Sequence, residues 1–142
     1  MADDSRPITR GFPRPAPTRD AAPFYEAAGR GELRFQRCSG CGVFRHYPRP
    51  TCPSCLSREF SWELSTGRGV VHTWTIVRGP TLPAFEAKLP YNVVDVLLDE
   101  GVHFVSEVLD VPPDEIRAGM RVRAVFVPVD ESLVLVKFRR DG

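Results

Sequence analysis

The sequence predicts a mainly β protein in which an N-terminal helix leads into a rubredoxin-like zinc ribbon and then into a five-stranded OB-fold barrel. The first observation behind this prediction is that the chain's four cysteines form two Cys-x-x-Cys pairs in the N-terminal half. The second is that the C-terminal half contains five β-rich segments, with a short helical segment between the third and the fourth. That order of elements is typical of the five-stranded Greek-key barrel of the OB-fold.

The N-terminal residues predict an arm followed by one helix. Residues 1–19 are rich in proline and arginine, and because proline lacks an N–H donor we expect an extended, flexible arm. Asp20 is expected to cap a helix whose first turn contains Pro23. Gly29 and Gly31 then end the helix. The predicted domains are the arm (1–19), the helix with the zinc ribbon (20–61) and the barrel (62–142).

The two cysteine pairs are Cys38–Cys41 and Cys52–Cys55, and they predict a metal site. Four thiolates at this spacing can close a tetrahedron around one zinc ion, which is a structural site with no open position. Gly42 follows the first pair, where such a turn requires a positive φ. Because tetrahedral sulfur coordination also suits iron, the sequence leaves a rubredoxin-like iron site open as an alternative.

Disulfide bonds are the main competing explanation for four cysteines. The chain opens with an acidic, polar segment. It does not show the charged region, apolar region and small-residue cleavage site of a signal peptide. It also has no apolar run of the length that spans a membrane. Metal binding is therefore favoured, and we expect a reducing compartment, the cytoplasm.

The strand pattern divides at Trp62. The ribbon strands are predicted at Leu33–Gln36 and Val43–Tyr47. The barrel strands are predicted at Glu63–Val77, Tyr91–Leu98, Val102–Leu109, Met120–Val127 and Leu133–Phe138, with a short helix over 112–119. Gly67 and Gly69 mark a bend in the first barrel strand. Alternation along the second predicts that Val94, Val96 and Leu98 face inward.

Several motifs together resemble a known family. They are Gly31-Glu32-Leu33, Gln36-Arg37-Cys38, Tyr47-Pro48-Arg49-Pro50, Gly67-Arg68-Gly69-Val70-Val71-His72-Thr73-Trp74-Thr75 and Pro90-Tyr91. With the cysteine pairs, they make residues 20–140 similar to the zinc-ribbon/OB-fold proteins first catalogued as domain-of-unknown-function family thirty-five. Only the arm lies outside the resemblance.

The resemblance implies a role beside acyl-CoA enzymes. Members of that family accompany thiolase-like enzymes, hydroxymethylglutaryl-CoA synthase or MaoC-type hydratases, in some cases in steroid side-chain degradation. They are thought to bridge subunits and help hold coenzyme A rather than to do the chemistry. The resemblance thus implies a non-catalytic accessory subunit in a hetero-oligomer, with acyl-CoA shared with a thiolase-like aldolase or a MaoC-type hydratase.

Two groups of side chains are candidates for these contacts. The phosphates of CoA require a few arginines or backbone donors, and the CoA candidates are Arg37, Arg45, His46, Arg49, Arg68, Trp74 and Arg78. Compensation of the negative charge of the zinc site is an equally good explanation for any one of the arginines. The loop Gly79–Pro90 is unusually apolar and is a candidate partner contact, through Leu82, Phe85 and Leu89. The loop could equally fold back over the barrel.

Two other functions compete with this one. Independent catalysis is disfavoured because zinc would consume every thiol and the chain has no Gly-x-Ser-x-Gly motif. Binding of single-stranded nucleic acid is the alternative function, since OB-folds commonly do this. However, the second and third barrel strands carry acidic residues and no lysine or arginine, so the attraction to phosphates is missing there.

Overall fold

The computed structural model describes residues 13–142, which form one α-helix and eight strands. The helix and the ribbon strands are α1 (Ala22–Gly29), β1 (Arg34–Cys38), β2 (Phe44–Arg45) and β3 (Phe60–Leu64). The barrel strands are β4 (Arg68–Val77), β5 (Tyr91–Leu98), β6 (His103–Ser106), β7 (Arg121–Asp130) and β8 (Leu133–Arg140). Two 3₁₀ turns interrupt the loops at Pro83–Lys88 and Pro113–Glu115.

The strands form two antiparallel sheets. The ribbon sheet has the order β2-β1-β3, and the barrel sheet has the order β6-β5-β4-β7-β8. A parallel bridge between Val108, two residues beyond β6, and Phe138 of β8 nearly closes the second sheet. The prediction of a mainly β protein with a zinc ribbon and a five-stranded OB-fold barrel is confirmed.

The prediction of one bent strand over Glu63–Val77 is wrong. The chain leaves the ribbon sheet after Leu64, which pairs with Arg34, and enters the barrel sheet at Arg68. Gly67, at φ +72°, turns the chain between the two sheets. The bend predicted from the glycines is therefore a change of sheet, because the backbone of β3 hydrogen-bonds to ribbon strand β1 along its whole length.

Two helix predictions also differ from the structure. Asp20 does not cap α1, because the N-cap residue is Ala21, and the carbonyl of Thr18 accepts the backbone N–H groups of Ala21 and Ala22. The helix expected over 112–119 is reduced to the 3₁₀ turn Pro113–Glu115, since Ile116 is extended and fully buried. Residues 1–12 of the predicted arm lie outside the described residues.

The core continues from the barrel into the ribbon. Val94, Val96 and Leu98 are at most 2% exposed, which confirms that this face of β5 points inward. The ring of Phe104 lies 5.8 Å from Phe138 in the barrel and 6.3 Å from Phe35 in the ribbon. Phe104 thus links the two sheets, and the burial of these rings stabilises the position of one against the other. None of the described helices is long and apolar enough to cross a membrane.

Candidate functional site

The four cysteine sulfurs converge at one end of the ribbon. All four Sγ atoms lie within 4.8 Å of one another, with Cys38–Cys55 at 3.5 Å and Cys41–Cys52 at 3.7 Å. A zinc ion bound at about 2.3 Å by four tetrahedral thiolates would separate the sulfurs by about 3.8 Å. The donor set therefore fits structural zinc, and its four protein ligands leave no position for a reacting water.

Two matching turns position the sulfurs. The N–H of Gly42 donates to the carbonyl of Cys38 at 2.9 Å, and the N–H of Leu56 donates to that of Cys52 at 2.9 Å. Gly42 has φ +76° and Leu56 has φ +66°. The positive φ expected at Gly42 is confirmed. The second turn places a leucine in the same conformation, which a side chain adopts at some cost.

Backbone N–H groups favour thiolates at the two buried ligands. The N–H of Cys41 is the main reason that the pKa of Cys38 falls to about 6, and the N–H of Cys55 likewise lowers the pKa of Cys52. The N–H of Ser57 also favours the Cys55 thiolate, but the neighbouring cysteines, Cys38 foremost, raise its pKa to about 11. Adjacent negative sulfurs repel one another, and a central cation removes that repulsion.

Two of the ribbon arginines hold the ribbon together. Arg45 is 5% exposed, and its guanidinium donates to Gln36 Oε1 and to the carbonyl of Arg49, both at 2.9 Å. Arg37 donates to the carbonyl of Gly42 at 3.0 Å and pairs with Glu63 at 3.2 Å. Arg49 has an exposed side chain and donates its backbone N–H to Gln36 Oε1.

His46 lies in the seam between ribbon and barrel rather than at the surface. Its ring stacks on Phe104 with centroids 4.6 Å apart and an interplanar angle of 17°. Its Nδ1 atom is buried and has no hydrogen-bond partner among the described residues. Burial lowers the pKa of His46 to about 4, so the ring is neutral at pH 7.

This burial predicts that acid destabilises the fold through His46. Between pH 6.5 and about 4 the unfolded chain binds a proton that the folded chain excludes. At pH 5 this lowers the free energy of unfolding by about 2 kcal/mol. His46→Phe retains the stacking on Phe104 and removes the titration. We therefore expect urea unfolding between pH 7 and pH 5 to show a smaller loss of stability for His46→Phe than for wild type. Wild type and His46→Phe have the same cysteine ligands, so any effect of acid on those ligands is the same in both proteins. An equal loss of stability in the two proteins would contradict the prediction.

A groove of about 830 Å³ opens at the same seam. The ribbon contributes His46 and Tyr47 to its lining, and helix α1 contributes Phe24 and Tyr25. The remaining lining comes from the loop before β5 and from strands β5, β6 and β8. Burial and a hydrogen bond with Tyr47 raise the pKa of Tyr25 to about 12.

Only one of the three candidate partner contacts lines this groove. Phe85 lines it, whereas Leu82 and Leu89 are not among the lining residues. Leu82 is 56% exposed on the outside of the same loop. Sequence reasoning predicted an apolar loop at the seam but missed the groove, because its other walls come from segments distant in the sequence.

The barrel contains a row of arginines that sequence reasoning also missed. Arg123 is in register with Arg68 on one side and with Arg139 on the other, so the three lie side by side across β4, β7 and β8. Arg139 pairs with Asp110. Directly opposed like charges destabilise a sheet and attract an anion. Only strand register could have revealed this row.

The remaining CoA candidates lie far from Arg68. Trp74 is 38% exposed on β4, and Arg78 follows the end of that strand. At about 3.3 Å per residue, a strand separates Arg68 from Arg78 by roughly 30 Å. Arg68 and Arg78 therefore do not contact the same phosphate group.

The outer face of β5 and β6 is not basic. These two strands contain no lysine or arginine, and Asp95 on β5 accepts a hydrogen bond from His103 Nδ1 on β6 at 3.0 Å. Such a surface lacks the cations that bind a nucleic-acid backbone. The structure thus offers the nucleic-acid alternative no support from these strands.

The fold and the metal centre define a zinc-ribbon protein with an OB-fold barrel. A family model described as the ChsH2 rubredoxin-like zinc ribbon domain matches residues 26–61, and one described as the ChsH2 C-terminal OB-fold domain matches residues 62–127. A chain of a solved structure described as an Ltp2-ChsH2(DUF35) aldolase is 38% identical, with a TM-score of 0.81, and the match covers 89% of this chain and 98% of that one. The protein belongs to the DUF35 zinc-ribbon/OB-fold family.

Two curated relatives are longer proteins. A probable enoyl-CoA hydratase alpha subunit of Thermomonospora curvata is 39% identical over 127 residues, which are 89% of this chain and 39% of that protein. A 3-oxo-4,17-pregnadiene-20-carboxyl-CoA hydratase alpha subunit of Mycobacterium tuberculosis is 32% identical over 114 residues, which are 80% of this chain and 36% of that protein. The chain thus spans less than two fifths of the length of either relative.

Proposed function

We propose that this protein is a non-catalytic accessory subunit of an acyl-CoA enzyme, with steroid side chains or other lipids as the substrate class. The observation that carries the proposal is the match to nearly the whole of one chain of the Ltp2-ChsH2(DUF35) aldolase. The names of two hydratase alpha subunits support the same acyl-CoA chemistry. The closed sulfur site supports a structural rather than a catalytic metal.

The partner in this proposal is a thiolase-like aldolase or a MaoC-type hydratase, and it supplies the reacting groups. The DUF35 protein positions part of the acyl-CoA at the contact between the subunits. Four of the candidate arginines have exposed side chains, Arg37, Arg49, Arg68 and Arg78, and Arg37 is already bonded to Gly42 and Glu63. Of these, Arg68 has the strongest support, because Arg123 lies beside it and Arg139 lies beside Arg123.

We propose that this arginine row contacts the phosphates of CoA. Guanidinium groups bind phosphate oxygens through paired N–H donors, and neighbouring strands place such groups about 4.8 Å apart. Arg45 has no part in this contact, because it is buried and already bonded inside the ribbon. Trp74 remains a candidate for stacking on adenine.

The test is co-expression with the thiolase-like and the hydratase-like subunits encoded in the same genome. We expect one of them to co-elute with this chain in gel filtration and the complex to bind CoA in titration calorimetry. Arg123→Gln removes the central charge of the row and should weaken CoA binding about tenfold without preventing assembly.

A matched control is Arg58→Gln, at an exposed arginine of the ribbon outside the row. Equal CoA affinity in both variants would remove the row from the proposal. Failure of the chain to associate with either subunit would contradict the accessory role itself.

A further inference from the structure

The groove at the seam presents apolar surface to solvent. Val105 on its rim is 68% exposed and Tyr47 is 42% exposed, although both are large apolar or aromatic side chains. Phe104 and Val136 form deeper parts of the lining and are at most 7% exposed. A continuous apolar surface that runs from a groove onto its rim marks a contact with another molecule.

One wall of the groove contains an unbalanced group of charges. Glu107 Oε2 accepts hydrogen bonds from Lys88 Nζ at 2.8 Å and from Lys137 Nζ at 3.1 Å. The three side chains are only 23%, 14% and 12% exposed for Lys88, Glu107 and Lys137. Two ammonium groups against one carboxylate leave this half-enclosed group with a net charge of +1.

That imbalance has an energetic consequence. A charge removed from water is unfavourable unless an opposite charge compensates it. Burial lowers the pKa of Lys137, although Glu107 opposes that shift. Glu107 is the one acidic side chain among the described residues that line the groove, and Asp95 lies outside the lining, where its carboxylate accepts a hydrogen bond from His103 Nδ1. A second carboxylate beside Lys88 and Lys137 would balance the group.

We propose that this groove is the docking surface for an apolar segment of the partner subunit that carries one carboxylate. The apolar side chains of the segment cover Tyr47, Phe104 and Val105, and its carboxylate joins the Lys88–Glu107–Lys137 group. The inference rests on the proposed accessory function and specifies which surface of the chain makes the contact.

A protein segment fits the surface better than a small ligand. A small apolar molecule would fill the groove but leave the rim at Val105 in water, whereas a segment covers both. The walls also come from the helix, the ribbon, the loop and the barrel, so a docked segment contacts all parts of the fold. Aromatic anchors in a desolvated pocket with a polar rim are typical of strong protein contacts.

The experiment measures the affinity of the zinc-loaded chain for the subunit with which it assembles. Val105→Asp places a negative charge on the apolar rim, and we expect it to weaken binding roughly tenfold to a hundredfold. Val105→Lys removes the same apolar contact with the opposite charge, and we expect a smaller loss because the docked segment carries a carboxylate. Circular dichroism and zinc content check that each variant is folded.

The control is Leu64→Asp, at a leucine that is 59% exposed on β3 and outside the groove lining. We expect this variant to bind as wild type does. Three outcomes would overturn the inference: wild-type affinity of Val105→Asp, equal losses in the two Val105 variants, or a wild-type homodimer that Val105→Asp dissociates. The last would assign the groove to a second copy of this chain.

A bound apolar small molecule, extracted from the purified protein and displaced without any effect on assembly, would also overturn it. A wild-type chain that binds neither candidate subunit would contradict the proposed function. Wild-type binding that Val105→Asp retains contradicts only this inference, so the two failures are distinguishable.

Discussion

Replacement of one zinc ligand, Cys38→Ser, is expected to release the metal, unfold the ribbon and abolish assembly with a partner. Structural zinc contributes about 10–16 kcal/mol to the folding of isolated zinc-finger domains. The ribbon sheet has only three short strands, so its packing cannot replace that contribution. The barrel has its own core around Val94, Val96 and Phe138 and should remain partly folded.

The two tryptophans distinguish these regions. Trp62 lies on β3 of the ribbon sheet and Trp74 on β4 of the barrel. In single-tryptophan versions of the protein, Cys38→Ser should shift the emission of Trp62 to that of an unfolded chain and change Trp74 less. Ser54→Ala, at an exposed residue between two ligands, is the control and should retain zinc. A metal-free Cys38→Ser protein with native Trp62 emission would contradict the structural role of the metal.

The second large effect is expected at Gly69. A Cβ atom at this position would lie 2.5 Å from the carbonyl oxygen of Leu97 and 2.9 Å from the Cα of Leu98. Both atoms belong to the backbone of β5, the strand paired with β4, so neither can move away as a flexible side chain would. Gly69→Ala should therefore destabilise the barrel by about 3 kcal/mol or more in urea unfolding.

Gly29→Ala is the matched control for that substitution. A Cβ atom at Gly29 would have no atom within 4 Å, and the residue lies at the end of α1. The change in stability should stay within about 1 kcal/mol. A Gly69→Ala protein as stable as Gly29→Ala would show that β4 and β5 are farther apart than the structure has them.

The parts of the fold that depend on local pattern could be predicted from the sequence. The cysteine spacing predicted the metal site, and alternation predicted the buried face of β5. The positive φ of Gly42 followed from the turn that the metal requires. In each case the residues that decide the structure are close together in the sequence.

The parts that depend on distant pairing could not be predicted. β3 belongs to the ribbon because it pairs with β1, about 26 residues earlier, and its composition is that of any strand. The arginine row requires the register of three strands, and the groove requires five separate segments of the chain. Gly69 was predicted as a bend, but its physical role is to let two backbones approach closely.

The most direct test of the accessory role is the acyl-CoA turnover of the partner subunit, measured as the zinc-loaded chain is titrated in. We expect the partner alone to have low activity or low solubility, and the chain alone to have no turnover. Turnover of the partner should rise with added chain and then saturate. Cys38→Ser should give no rise. A partner that is equally soluble and equally active without the chain would contradict the account.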